Sequence, residues 1–173
     1  MDTNLYSLNE AITNETARGK GGSRPPAKMV NTCFWSIRTN EELDINEKYL
    51  LLYLLTNEKT NLLGIYELPS VRCIAFDTGF TANQVHTTLD SLKSYGIIDY
   101  STNSNEVLLY GWLKYGIAAG GGSVCQRLLA DAATVKDKIL LKQLLRHCSD
   151  RYDRYSPTIR VFLNCLEEWL QEQ

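Results

Sequence analysis

Two amphipathic segments separated by one tight turn constrain this chain more than any other feature of it. Residues 70–78 repeat apolar side chains at helical spacing through Val71, Ile74 and Ala75, and residues 81–95 do so through Val85, Leu89 and Leu92. Between them, Gly79 can close the first helix in a left-handed cap before Thr81 caps the second. Two helices joined so closely make a helix-turn-helix. After Gly96 come two strand-like runs, 97–100 and 107–110, flanking the polar turn STNSNE. A hairpin directly behind the second helix turns that unit into a winged helix. The expected fold is therefore mainly α with a small β hairpin, a winged helix-turn-helix followed by a short C-terminal helical region.

The residues ahead of this unit fit the same scheme. Asp44 with Glu47 three positions later is a capping box for a helix over 44–56, whose run YLLLYLL is apolar on nearly all sides. A lone surface helix needs one apolar stripe, so this helix is expected to be central to the domain or shared with a second subunit. Residues 62–68 read as a short strand that pairs with the wing, ended by Pro69. The aromatics Phe34 and Trp35 are expected to pack onto the first helix or a partner subunit.

Beyond the wing, AAGGGS at 118–123 has no P-loop lysine and reads as a hinge. Three further helices are expected: one through Val124, Leu128, Leu129 and Ala132, one within VKDKILLKQLLRHC, and one opened by Ser156-Pro157 with Ile159, Phe162, Leu163, Leu166 and Leu170 inside. Such stripes cannot stay exposed singly, and they must pack together, on the winged helix, or across a dimer. The organisation expected is an arm at 1–30, a winged-helix domain at 31–116, a hinge at 117–123 and a helical region at 124–173. Self-association is expected, with Phe34, Trp35, Leu163 and Leu166 as contact candidates and a two-fold dimer the commonest outcome.

Composition narrows the function classes. No apolar run reaches the roughly 20 residues of a membrane span, and the start of the chain lacks a signal-peptide pattern, so the reading is cytoplasmic with no membrane partner. The five cysteines are widely spaced with no CxxC pair, which points to buried reduced thiols and to no metal site. His86 and His147 lack neighbouring ligands and read as packing or surface residues. No GxxxxGK[ST], GxSxG or HExxH motif occurs, no cofactor is implied, and no constellation of nucleophile, base and stabiliser suggests an enzyme.

The second helix of the pair offers Asn83, Gln84, Thr87, Thr88 and Ser91. Asn and Gln can pair with adenine edges in a major groove, and Thr or Ser can reach base edges or phosphates. The residues alone leave open whether these side chains read DNA or are simply solvated. Charge is the difficulty, because the net of −2 conceals ten acidic against six basic residues in 31–116. Attraction to duplex comes mainly from Lys and Arg at phosphates. The candidate cations are Arg72 and Lys93 in the head and Arg18, Lys20, Arg24 and Lys28 in the arm, with Lys136, Lys138, Lys142 and Arg146 beyond the hinge.

The stretches NEKYLLLYLLTNEKTNLLGIYELP, VRCIAFDTGFTANQVHTTLDSLKSYGII and VLLYGWLKYG resemble the N-terminal winged-helix module of phage and prophage replication proteins, the replisome organisers and initiators related to DnaD. The resemblance covers 31–116. It implies a DNA-binding protein for replication initiation or helicase recruitment, with a replicative helicase or helicase loader as partner. In those proteins the module precedes a region for oligomerisation, DNA binding or helicase recruitment. The carry-over attaches to residues 81–95, the wing at 97–110 and Trp112 as a packing residue. The alternatives are a winged-helix transcriptional regulator and a protein-protein adaptor that binds no DNA.

Overall fold

A computed structural model describes residues 30, 32–35, 42–115 and 122–172 of the chain. After a single 3-10 turn at Thr32–Trp35, the elements are α1 (Ile45–Thr56), β1 (Ile65–Glu67), α2 (Val71–Thr78), α3 (Ala82–Ser94), β2 (Ile98–Ser101), β3 (Glu106–Leu109), α4 (Trp112–Tyr115), α5 (Gly122–Thr134), α6 (Lys138–Ser149), a 3-10 turn at Tyr152–Arg154, and α7 (Pro157–Gln171). The fold is mainly α-helical with one three-stranded antiparallel sheet of order β1-β3-β2. The arm at 1–29 and the glycines at 116–121 lie outside the described residues, and Gly122-Ser123 of the expected hinge open α5.

Local chemistry accounts for most boundaries. The Asp44 carboxylate accepts the Glu47 N–H at 2.8 Å while Glu47 accepts that of Asp44 at 2.7 Å, satisfying two of the donors a helix start leaves open. Ser156 caps α7 by accepting from the Ile159 N–H, with Pro157 in the first helical position. β1 is shorter than the expected 62–68. The Asn61 side-chain oxygen accepts the Gly64 N–H at 2.9 Å, and the Asn61 backbone carbonyl accepts Trp112 Nε1–H at 3.0 Å, so the chain turns there before it can pair. Gly64 sits at φ +77 with Trp112 so close that a Cβ would lie 2.7 Å from the indole side chain. The position therefore demands glycine on two counts.

The expected hairpin is present. Ile98 pairs with Leu109, Tyr100 with Val107 and Ser101 with Glu106, while on the other side of β3 Ile65 pairs with Leu108 and Tyr66 with Val107. Alternation along each strand sends successive pairs to opposite faces. Tyr66, Ile98, Val107 and Leu109 join the core made with α1, α2 and α3, whereas Ile65 and Leu108 join the core made with α5, α6 and α7. The sheet is thus the middle layer between two helical ones. Phe162 and Leu166 on α7 and Leu128 on α5 are wholly buried in the second core.

Two carboxylate bridges, from the buried Glu106 and the half-buried Asp131, tie the layers together. Glu106 accepts the backbone N–H groups of Lys136 and Asp137, both at 2.9 Å, just ahead of α6, and Asp131 on α5 accepts the Leu62 N–H at 2.9 Å. The helices after the glycines pack on the domain, one of the three arrangements their stripes allow. The all-round apolar α1 is accounted for within the chain on one side only: Leu50, Leu51 and Leu54 are buried, while Ile45 and Tyr49 remain exposed.

Four contact expectations need correction or refinement. Leu163 and Leu166, named for oligomerisation, are buried in the second core, and Phe34 is buried in the first with its ring edge-on to Trp35 at 4.9 Å. Intramolecular packing has used their apolar surface. Trp35 itself is 66% exposed and remains available. The cysteines are not uniformly buried: Cys148 is, Cys125 and Cys165 are half-buried, and Cys73 is exposed on the outer side of α2.

Candidate nucleic-acid interface

The geometry of α2, its turn and α3 follows from three short-range devices. Ser70 Oγ accepts the Cys73 N–H at 3.2 Å to start α2, and Gly79 at φ +75 ends it in the left-handed conformation. Thr81 then starts α3, with its Oγ1 accepting the Gln84 N–H at 3.2 Å and its own N–H donating to Gln84 Oε1 at 2.9 Å. Val85, Leu89 and Leu92 are buried on the inward side of α3. The link to α1 includes Ser91 Oγ donating to the Glu47 carboxylate.

Against this frame the expected DNA-contacting residues divide. Arg72 is exposed on α2, and Asn83, Gln84 and Thr87 are exposed on α3. Thr88 is only 7% exposed, because its position turns it toward the buried stripe, and little of it faces outward. Gln84 is exposed but its Oε1 is engaged in the cap, and Thr87 Oγ1 donates back to the Asn83 carbonyl at 3.0 Å. The T-x-x-Q pattern of a capping box was already visible in the sequence at Thr81–Gln84. Ser91 points into the α1 contact and does not extend the outward face.

Lys93 is held by its surroundings. Its Nζ lies 2.7 Å from Asp99 Oδ1 and 4.8 Å from the Tyr100 ring centroid. The Tyr100 hydroxyl donates to Asp90, and that hydrogen bond, followed by burial, pushes the phenol up to about 12. The junction of α3 with β2 therefore presents two carboxylates against one ammonium, a poor place for a phosphate. At the tip of the β2–β3 hairpin Asn105, at φ 55, donates through Nδ2 to the Leu68 carbonyl at 2.7 Å and accepts the Leu68 N–H on its own backbone carbonyl at 2.7 Å, so the tip is fastened to the end of β1.

The cations Arg18, Lys20, Arg24 and Lys28 lie outside the described residues. On α6, which carries no acidic side chain, Lys142 and Arg146 are exposed and Lys138 lies over the Trp169 ring at 4.5 Å. His147, on the same helix, stacks on Tyr110 at 4.6 Å, and its Nε2 accepts from Arg151 at 2.8 Å. Burial first and then the Arg151 cation hold that imidazole below its ordinary value. His86 is exposed on α3. Among the described residues no group of three His, Cys, Asp or Glu side chains could hold a metal ion, and no helix is long and apolar enough to cross a membrane.

A second exposed feature lies beside α2. Phe76 is 88% exposed, and an open cleft of about 690 Å³ separates it from the end of α1, lined by Tyr53, Asn57, Lys59, Arg72, Cys73 and Asp77. The Tyr53 hydroxyl closes one side by donating to Asp77 at 2.8 Å. No family model, no curated protein and no solved structure matches this sequence.

Proposed function

We propose that residues 42–115 form a winged helix that binds duplex DNA with α3 in the major groove. The observation that carries this reading is the division of α3 into a buried stripe and an outward stripe of Asn83, His86, Thr87 and Asp90 that is polar and free of large apolar groups. An α-helix with polar donors and acceptors on its outer side is the shape a major groove admits. The element order α1-β1-α2-α3-β2-β3, with the hairpin behind α3, supports the same reading.

The biological role we propose is replication initiation or helicase recruitment in a phage or mobile element, in line with the resemblance of residues 31–116. DNA is then the first partner and a replicative helicase or its loader the second. Self-association is part of the proposal, with Trp35 as the remaining aromatic contact. Capture of DNA requires cations beyond the head, since Lys93 is committed to Asp99 and of the head's two candidates only the exposed Arg72 is left. The arm cations Arg18, Lys20, Arg24 and Lys28 and the α6 cations Lys142 and Arg146 are the candidates. The test is a fluorescence-anisotropy titration of duplex DNA over a salt series. Deleting residues 1–28 removes four cations and should lower the salt slope by up to about four for all sequences alike. Absence of binding even at about 50 mM salt ends the DNA reading, since electrostatic attraction is near its strongest there.

A second reading has one observation behind it. The 88% exposure of Phe76 beside the cleft favours a protein-docking adaptor in which α2, not α3, is the contact element. A transcriptional regulator would use the same DNA-binding surface as the leading reading.

A further inference from the structure

The polar side chains along the outer side of α3 are not equivalent, because most of them are already engaged. Gln84 Oε1 accepts from both Thr81 N–H and Thr81 Oγ1 at 2.9 Å, and Thr87 Oγ1 is bonded to the Asn83 and Gln84 carbonyls. Asp90 accepts from Tyr100, Lys93 pairs with Asp99, and Ser94 Oγ donates to the Ser91 carbonyl at 2.7 Å. The Asn83 amide and the His86 imidazole are both exposed, and neither side chain has a hydrogen-bond partner among the described residues.

These two residues are neighbours on one face. Three positions apart, they are separated by about 4.5 Å along the axis, close to the rise of one base step of about 3.4 Å. Both lie in the first half of α3, the half that a recognition helix presents to base edges. Their chemistry differs in a useful way. An asparagine amide offers a donor and an acceptor side by side, matching adenine N6 and N7, whereas an imidazole N–H is a single donor suited to the guanine acceptors N7 and O6.

We infer that Asn83 and His86 are the specificity-determining pair of this protein, reading two adjacent base pairs, with Asn83 selecting an adenine and His86 a guanine beside it. The inference rests on the DNA-binding reading above and sharpens it. It removes Gln84, Thr87 and Thr88 from the set of base readers and adds a histidine that the sequence pattern had left as a packing or surface residue.

The experiment is selection of duplexes from a randomised pool by the full chain and by the variants His86→Ala, Asn83→Ala and Gln84→Ala, with affinities then measured on the selected duplex and on single-base changes of it. The wild-type protein should enrich sites containing adjacent A·T and G·C pairs. His86→Ala should lose discrimination at the G·C pair alone, by about 2- to 10-fold for a single hydrogen bond, and Asn83→Ala at the A·T pair alone, by about 5- to 100-fold for a paired contact. Gln84→Ala should keep the selected sequence unchanged, and thermal unfolding of His86→Ala should match wild type because the side chain is exposed. An unchanged sequence preference in His86→Ala overturns the inference, as does DNA binding with no sequence preference, and both outcomes leave the DNA-binding reading standing. Absence of any binding by the wild-type chain ends both.

Discussion

Replacing Glu106 tests whether the helices after residue 122 are part of one cooperative unit with the sheet. Glu106 is 4% exposed at the start of β3, and its two oxygens each accept a backbone N–H at 2.9 Å, from Lys136 and from Asp137. Hydrogen bonds to a charged acceptor contribute about 1.5–3 kcal/mol each, and the desolvation of a buried carboxylate offsets part of the sum. Glu106→Ala leaves both N–H groups without their acceptor at the entrance to α6, so the expected loss is about 2–4 kcal/mol. Glu106→Gln keeps one acceptor but sets an amide NH2 against the second donor, and its expected loss is about 1–3 kcal/mol. Urea unfolding followed by helical circular dichroism and by tryptophan fluorescence reads both losses. The two probes should coincide in the wild-type chain, because Ile65 and Leu108 share a core with Leu128 and Phe162. A loss below about 0.5 kcal/mol, the range of ordinary surface substitutions, would refute the reasoning. So would two separate transitions in the wild-type chain.

Other substitutions probe single features. Gly64→Ala places a Cβ 2.7 Å from Trp112 at a φ of +77, and should cost about 2 kcal/mol or more in the same unfolding assay. Thr88→Ala should change DNA affinity only as far as it changes stability, because Thr88 is 7% exposed, and parallel melting and binding curves would check this. His147 has its folded-state pKa lowered beneath the ordinary 6.5, so the unfolded chain binds the extra proton first. Its contribution is present above that value and is lost as pH falls toward the lowered one. Melting temperatures at pH 7.5 and at about 5.5 should therefore differ less in His147→Gln than in wild type. Cys73 should react first with a thiol reagent among the described cysteines, and Cys148 only on unfolding, as mass spectrometry of labelled peptides would reveal.

Much of the frame was legible because it is local. The Asp44–Glu47 box, the caps Thr81 and Ser156, and the left-handed Gly79 all stand where short-range patterns put them. The stripes of the C-terminal helices leave open whether they cover the second face of the sheet, although β3 carries a sign that they do. Glu106-Val107-Leu108-Leu109 lacks apolar-polar alternation and is buried throughout, as a strand covered on both faces must be. Phe34, Leu163 and Leu166 stand in the sequence as contact candidates for self-association with packing inside the chain as the alternative, because an apolar stripe does not specify whether its partner lies in the same chain. The site was less legible than the fold. Thr88 looked like part of a polar face until its position on the helix was fixed, and Lys93 looked like a free cation until β2 brought Asp99 beside it.

The most direct measurement of the central claim is a map of amide chemical-shift changes in isotope-labelled full chain on addition of duplex DNA at low salt. The account predicts the largest changes across residues 81–94, at Arg72 and in the β2–β3 hairpin, with α7 unaffected at its buried centre around Phe162. Changes confined to Phe76 and the cleft beside α2, or to α6 with α3 silent, would contradict it.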